Sequence, residues 1–254
     1  MNPEVVERIV HAVLYEGYML YPYRASTMKN RQRWNFGVLT PRAYSEAHCG
    51  TESWTMQTEC LVQQTKDAEL SISVRFLQLV LPDGNPDGLS GASQRAIERE
   101  VSTANQSLAQ LTTTSYELPF QIDANHTAQL FGLLEISAEL VTPKLFKLRV
   151  RVKNLTSPEG IAYATRDEVL RHSFLSTHTV LNVEGGEFVS LLDPPDQLQQ
   201  LAASCENNGC WPVLVGTPGD RDCMLSSPII LYDYPQLAPE SVGDLYDSTE
   251  IDEL

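Results

Sequence analysis

The residues predict an α+β fold, mostly antiparallel β-sheet or sandwich with a few short helices. Three observations carry that expectation. Leu70, Ile72, Val74 and Phe76 alternate with Ser71, Ser73 and Arg75, which is the period of a half-buried strand. Residues 134–140 and 146–152 alternate in the same way on either side of Thr142-Pro143-Lys144, so the pair reads as a hairpin. Helical spacing is confined to a few short stretches, the first at the N-terminus.

In chain order, Asn2 caps and Pro3 opens a helix whose apolar stripe runs through Val5, Ile9 and Val13 and ends near Gly17. Pro22 then keeps Tyr21 out of the α region. Strands follow over 55–64 and 69–80, and the Gly- and Pro-rich residues 82–91 form a long turn. Ile97, Val101, Leu108 and Leu111 are spaced for a helix over 93–109, which the hydroxyl-rich residues 112–115 close.

The hairpin is the sharpest prediction. A three-residue turn at 142–144 sets Glu139 opposite Lys147 and Glu135 opposite Arg151, half neutralising the row Lys147, Arg149, Arg151 and Lys153. A two-residue turn is excluded, because it would put apolar side chains opposite charged ones. Beyond it, 154–160 is a polar turn and 166–174 a short helix. Residues 176–183 and 188–192 read as extended pieces joined by a turn or bend at Gly185-Gly186. Asp193-Pro-Pro-Asp196 stops that run, and Asp196 caps a helix through Cys205; 211–215 and 228–232 read as buried strands. The chain divides into 1–115, with the N-terminal helix, a basic and aromatic segment and a hairpin, and a β-rich 116–254 with an acidic close; one continuous domain is the alternative.

Composition narrows the functional classes. A net charge of -15 over 254 residues argues against nucleic-acid binding. No apolar run reaches the roughly 18 residues that cross a bilayer and no leader pattern opens the chain, so the expectation is a cytoplasmic protein without membrane insertion. Cysteines 49, 60, 205, 210 and 223 are odd in number and widely spaced, which favours reduced thiols, and no metal or cofactor is expected.

Residues 15–34 depart from this background. They hold four tyrosines, four cations and a tryptophan, and no acidic residue lies between Glu16 and Glu46. Such a segment suits an acidic protein surface: Arg24, Lys29, Arg31 and Arg33 pair with carboxylates while Tyr21, Tyr23 and Trp34 anchor by burial. The competing reading closes the segment internally on residues 233–254, which carry seven acidic residues and no Lys or Arg. A second candidate is a small-ligand, metal or enzymatic pocket near His178, Glu184 and Asp222. Neither a nucleophile elbow nor a phosphate loop supports it: Gly185-Gly186 is a single turn, and Gly216-Thr-Pro-Gly219 lacks the Lys and following helix.

Several stretches together resemble a group of uncharacterised bacterial proteins encoded beside NiFe-hydrogenase genes. They are Leu14-Tyr-Glu-Gly-Tyr-Met-Leu-Tyr-Pro-Tyr-Arg24, Lys29-Asn-Arg-Gln-Arg-Trp34, Ser176-Thr-His178, Glu184-Gly-Gly-Glu-Phe-Val-Ser-Leu-Leu-Asp-Pro-Pro195, Trp211-Pro-Val-Leu-Val-Gly216 and residues 224–253. The resemblance carries over no catalytic residue. It implies a hydrogenase-associated accessory role in assembling, stabilising or regulating a cytoplasmic metalloenzyme, with a hydrogenase subunit or maturation factor as the partner. It also implies that similar proteins continue past Glu250-Ile-Asp-Glu-Leu254, so that this chain ends early.

Overall fold

One very long strand, β1 (Thr55–Leu79), runs through the middle of the protein. The computed structural model describes residues 3–19, 36–80, 96–124 and 127–236. The first half of β1 pairs along one edge with β6 (Leu145–Asn154), and its second half pairs along that edge with β2 (Ala96–Ser102) and β3 (Gln106–Ser107). Its other edge pairs with β7 (Leu175–Val189). With β4 (Tyr116–Ile122), β5 (Leu130–Thr142), β8 (Trp211–Leu214) and β9 (Cys223–Ser227), these make one antiparallel nine-stranded sheet ordered β4-β5-β6-β1-β7-β9-β8. The sheet takes strands from both sides of residue 115.

Two coincident bends fold this sheet into a sandwich. The β1–β7 register breaks between Gln64 and Glu69, where β1 carries the exposed Thr65, Lys66 and Asp67. Opposite lies Gly185 of β7, at φ 74°, pressed so closely on the Asp67 carbonyl that a Cβ would not fit. Between the layers, Met56, Val62, Leu70, Ile72 and Val74 of β1 meet Leu134, Ile136, Leu148, Val150 and Leu181. Phe76 stacks on Phe174 at 4.5 Å, and Phe120 of β4 lies 5.8 Å from Phe174, which links the two layers.

The outer face is capped by helix α1 (Pro3–Met19), whose Val6, Ile9, Val10 and Val13 cover Val180, Val213, Val215 and Leu225. The remaining helices are short: α2 (Arg42–Ala47), α3 (Arg166–Arg171) and α4 (Gln199–Ala203). No helix among the described residues is long and apolar enough to cross a membrane.

The hairpin register is as predicted, with Glu139 opposite Lys147 and Glu135 opposite Arg151. Its turn is shorter than expected: Thr142 pairs with Leu145, and a bulge at Val141 restores the phase that a two-residue turn alone would break. Two pairs of expected strands prove to be single bent strands, β1 and β7. Three other expectations fail. Asp196 does not cap the helix that follows it: it lies inside a 3-10 turn, Asp196–Leu198, with Pro195 at the cap position, and α4 begins only at Gln199. The helix over 93–109 is instead β2 and β3 in its described part, because the four-residue step from Ile97 to Val101 keeps both on one side in a strand as well as in a helix. The strand at 228–232 lies instead at β9, five residues earlier; Pro228 has no amide hydrogen to extend the ladder.

Gly132 of β5 lies directly beneath the Phe120 ring, where any Cβ would collide with it. Gly132→Ala is therefore expected to cost about 2 kcal/mol by displacing that ring. Urea unfolding measures it, and a change within about 0.5 kcal/mol would show that the ring moves freely.

Candidate functional site

Tyr21, Tyr23, Arg24, Lys29, Arg31, Arg33 and Trp34 lie outside the described residues, as does the chain beyond residue 236. The two flanks of the segment are described. On one side, Leu14 of α1 packs with Leu77, Leu170 and Leu175. On the other, the Phe36 carbonyl accepts the Ser176 amide at 3.3 Å, the Gly37 carbonyl accepts the Thr177 amide at 2.9 Å, and Leu39 exchanges two hydrogen bonds with Phe174. Both flanks therefore root on residues 174–177, at the start of β7.

His178 follows these roots and is fully buried. Its Nδ1 lies 2.8 Å from the Ser176 carbonyl, which can only accept, so the ring proton sits on Nδ1. That leaves Nε2 as an acceptor without a partner. Ser176 itself holds φ at 50°, where the β1–β7 register shifts. Directly across the ladder from His178, Arg75 donates to both Glu7 oxygens of α1 at 2.6 and 2.9 Å and lies 3.3 Å from Glu100 of β2. Arg75 thus clamps helix to sheet. Burial drives the His178 pKa down to about 4, with Arg75 adding to the fall and the Ser176 bond opposing it. At neutral pH the ring is uncharged and sealed from solvent.

Glu184 lies six residues further along β7, about 20 Å away at strand rise. Asp222 is at Glu184's end, since its carbonyl accepts the Val183 amide at 2.9 Å. The structure thus brings Glu184 and Asp222 near each other and leaves His178 apart. Glu184 borders an open cleft with Lys66, Asp67, Glu69 and Glu187 at the two bends. Among the described residues, no three metal-ligating side chains converge. The five cysteines are unbridged, and burial pushes Cys205 up to about 11 and Cys223 to about 12, far from thiolate reactivity at neutral pH.

The cationic row of β6 finds partners that the hairpin alone does not suggest. Arg149 and Lys147 both reach Glu59 of β1, at 2.6 and 2.8 Å, and Arg151 donates to Gln57 at 2.6 Å. Lys153 pairs diagonally with Glu135 at 2.5 Å. Glu59 is fully buried and also accepts the Glu206 amide at 2.8 Å, while Asn207 brackets the Glu59 backbone. Burial raises its pKa, but the Glu206 amide, Lys147 and Arg149 outweigh that and hold the carboxyl below its usual range. The sequence signal is a lone carboxylate, Glu59, on the outward phase of a strand beside four cations.

No protein-family model matches the chain, and a search of curated proteins finds no match either.

Proposed function

We propose that this chain is a non-enzymatic accessory or scaffold protein that docks an acidic partner surface through Tyr21, Tyr23, Arg24, Lys29, Arg31, Arg33 and Trp34. Its resemblance to hydrogenase-associated proteins makes a NiFe-hydrogenase subunit or maturation factor in the cytoplasm the partner of choice. One observation supports the reading above others. Six cations among the described residues are committed to carboxylates of the same chain: Arg42 to Glu46, Arg75 to Glu7 and Glu100, Lys147 and Arg149 to Glu59, Lys153 to Glu135, and Arg166 to Glu52. The stretch from Arg24 to Arg33 adds four cations with no acidic neighbour in sequence, between flanks that share one root.

The test is affinity for purified hydrogenase subunits and maturation factors. In the full chain carrying Arg31→Glu and Arg33→Glu, binding is expected to weaken at least tenfold, about 1.4 kcal/mol, with an unchanged melting temperature. Wild-type binding should also weaken with added salt. Unaltered affinity in the folded double variant overturns the reading.

A further inference from the structure

Two asparagines stand side by side in the loop that joins α4 to β8, and the structure holds them differently. Asn207 is bound at both ends of its side-chain amide: Oδ1 accepts the Glu59 amide at 2.8 Å, and Nδ2 donates to the Glu59 carbonyl at 3.1 Å. Asn208 is held by its backbone alone, which exchanges hydrogen bonds with Gln57 of β1 at 2.9 and 3.1 Å. The residue is exposed, and its side chain makes no hydrogen bond among the described residues.

Gly209 follows, which makes this the one Asn-Gly pair of the 254 residues. Without a Cβ, glycine leaves its own amide nitrogen open to the preceding side chain. Gly209 sits at φ 74°, with open space where a Cβ would be, and its amide is in no hydrogen bond among the described residues. Its nitrogen can therefore attack Cγ of Asn208. The new N–Cγ bond closes a five-membered succinimide ring, the Cγ–Nδ2 bond breaks, and Nδ2 leaves as ammonia with the proton of the Gly209 amide. Water then opens the ring at either carbonyl, adding hydroxyl to the carbon and a proton to the nitrogen. One opening gives aspartate. The other gives isoaspartate, in which the main chain runs through Cβ and Cγ and is one carbon longer.

We propose that Asn208 is a site of spontaneous deamidation whose isoaspartyl product unlatches this loop from β1. The latch gates the reaction, because the rotation that brings the Gly209 nitrogen to Cγ turns the Asn208 carbonyl away from the Gln57 amide. That bond must open first, and the product then keeps it open. Gln57 is gripped at two points, by the Asn208 backbone and by Cys210, whose Sγ donates to the Gln57 carbonyl at 3.0 Å. A chain lengthened between those points can keep only one grip. Cys210 is sealed in the close-packed core, 1% exposed, so the bridge at Asn208 gives way. Asn207, with a bulkier residue after it and its amide pinned to Glu59, stays intact.

The test incubates the full chain in mildly alkaline buffer beside a synthetic peptide of residues 204–212, and mass spectrometry of the digest locates each amide converted to a carboxyl. In the folded chain, conversion is expected at 208 and not at 207, several-fold to about tenfold slower than in the peptide, the cost of opening one hydrogen bond. Aged chain, freed of unconverted molecules by ion exchange, should lose hydrogen-exchange protection at the Gln57 amide. Freshly purified Asn208→Asp, which carries the added charge on an unlengthened backbone, should keep that protection. No conversion at 208 while the peptide converts, equal conversion at 207, or a rate matching the peptide would each overturn the proposal. So would full Gln57 protection in the aged chain, or its loss in Asn208→Asp.

Discussion

Replacing Glu59 by alanine is expected to lower the unfolding free energy by about 3 kcal/mol, because it breaks a buried charge network from its centre. Lys147 would keep only its bond to the Ser204 carbonyl, Arg149 would lose its carboxylate, and the Glu206 amide would lose its acceptor. The loop between α4 and β8 keeps its backbone bridge from Asn208 to Gln57 and the bonds of Asn207 to the Glu59 backbone, so the loosening should be confined to its start, at Glu206. Urea unfolding gives the total, and hydrogen exchange at Glu206 and Asn208 gives the local part. A double-mutant cycle with Lys147→Met isolates the ion pair. The network's contribution is present above the ordinary carboxylate pKa of 4.5 and is lost as pH falls through the lowered folded value. A loss below about 1 kcal/mol would mean that the carboxylate is no more than a surface group.

Where one face of a strand pair is buried, the pleat makes the sequence legible. The β5–β6 register follows from alternation alone, because a one-residue slip would turn Leu134, Ile136, Leu148 and Val150 outward. Alternation does not say whether a strand ends or bends. Thr65 to Asp67 and Gly185-Gly186 have turn chemistry, yet they face one another and let both strands continue. Residues 97–101 fit both periods, and only pairing with β1 decides between them. At the candidate site, the clamp of Arg75 on Glu7 joins residues 68 positions apart, and Glu59 draws in Glu206 and Asn207 from nearly 150 residues away. Local pattern does not encode such pairings. The histidine at 178 was visible as a candidate, but its burial depends on α1 lying over it.

That burial makes the protein acid-sensitive over a defined window. In the unfolded chain His178 titrates near 6.5, and in the folded protein near 4. Between those values the unfolded state binds a proton that the folded state excludes, so stability falls as pH falls and levels off below about 4. At about 1.36 kcal/mol per unit, the full loss is about 3 kcal/mol. The groups facing the ring are Arg75 on β1, Glu7 on α1 and Glu100 on β2, and the Arg75–Glu7 bond must accommodate a second positive charge when His178 protonates. The helix should therefore be the first element to loosen. His172, lowered chiefly by its own burial, contributes in the same direction, so His178→Gln should remove most but not all of the slope. The measurement is unfolding free energy from pH 7 to pH 4 in wild type and His178→Gln, with hydrogen exchange at Val10 and Val13 reporting α1. Equal slopes in the two proteins would show that the ring admits a proton without opening the helix, and the sealed pocket beneath α1 would lose its role in acid stability.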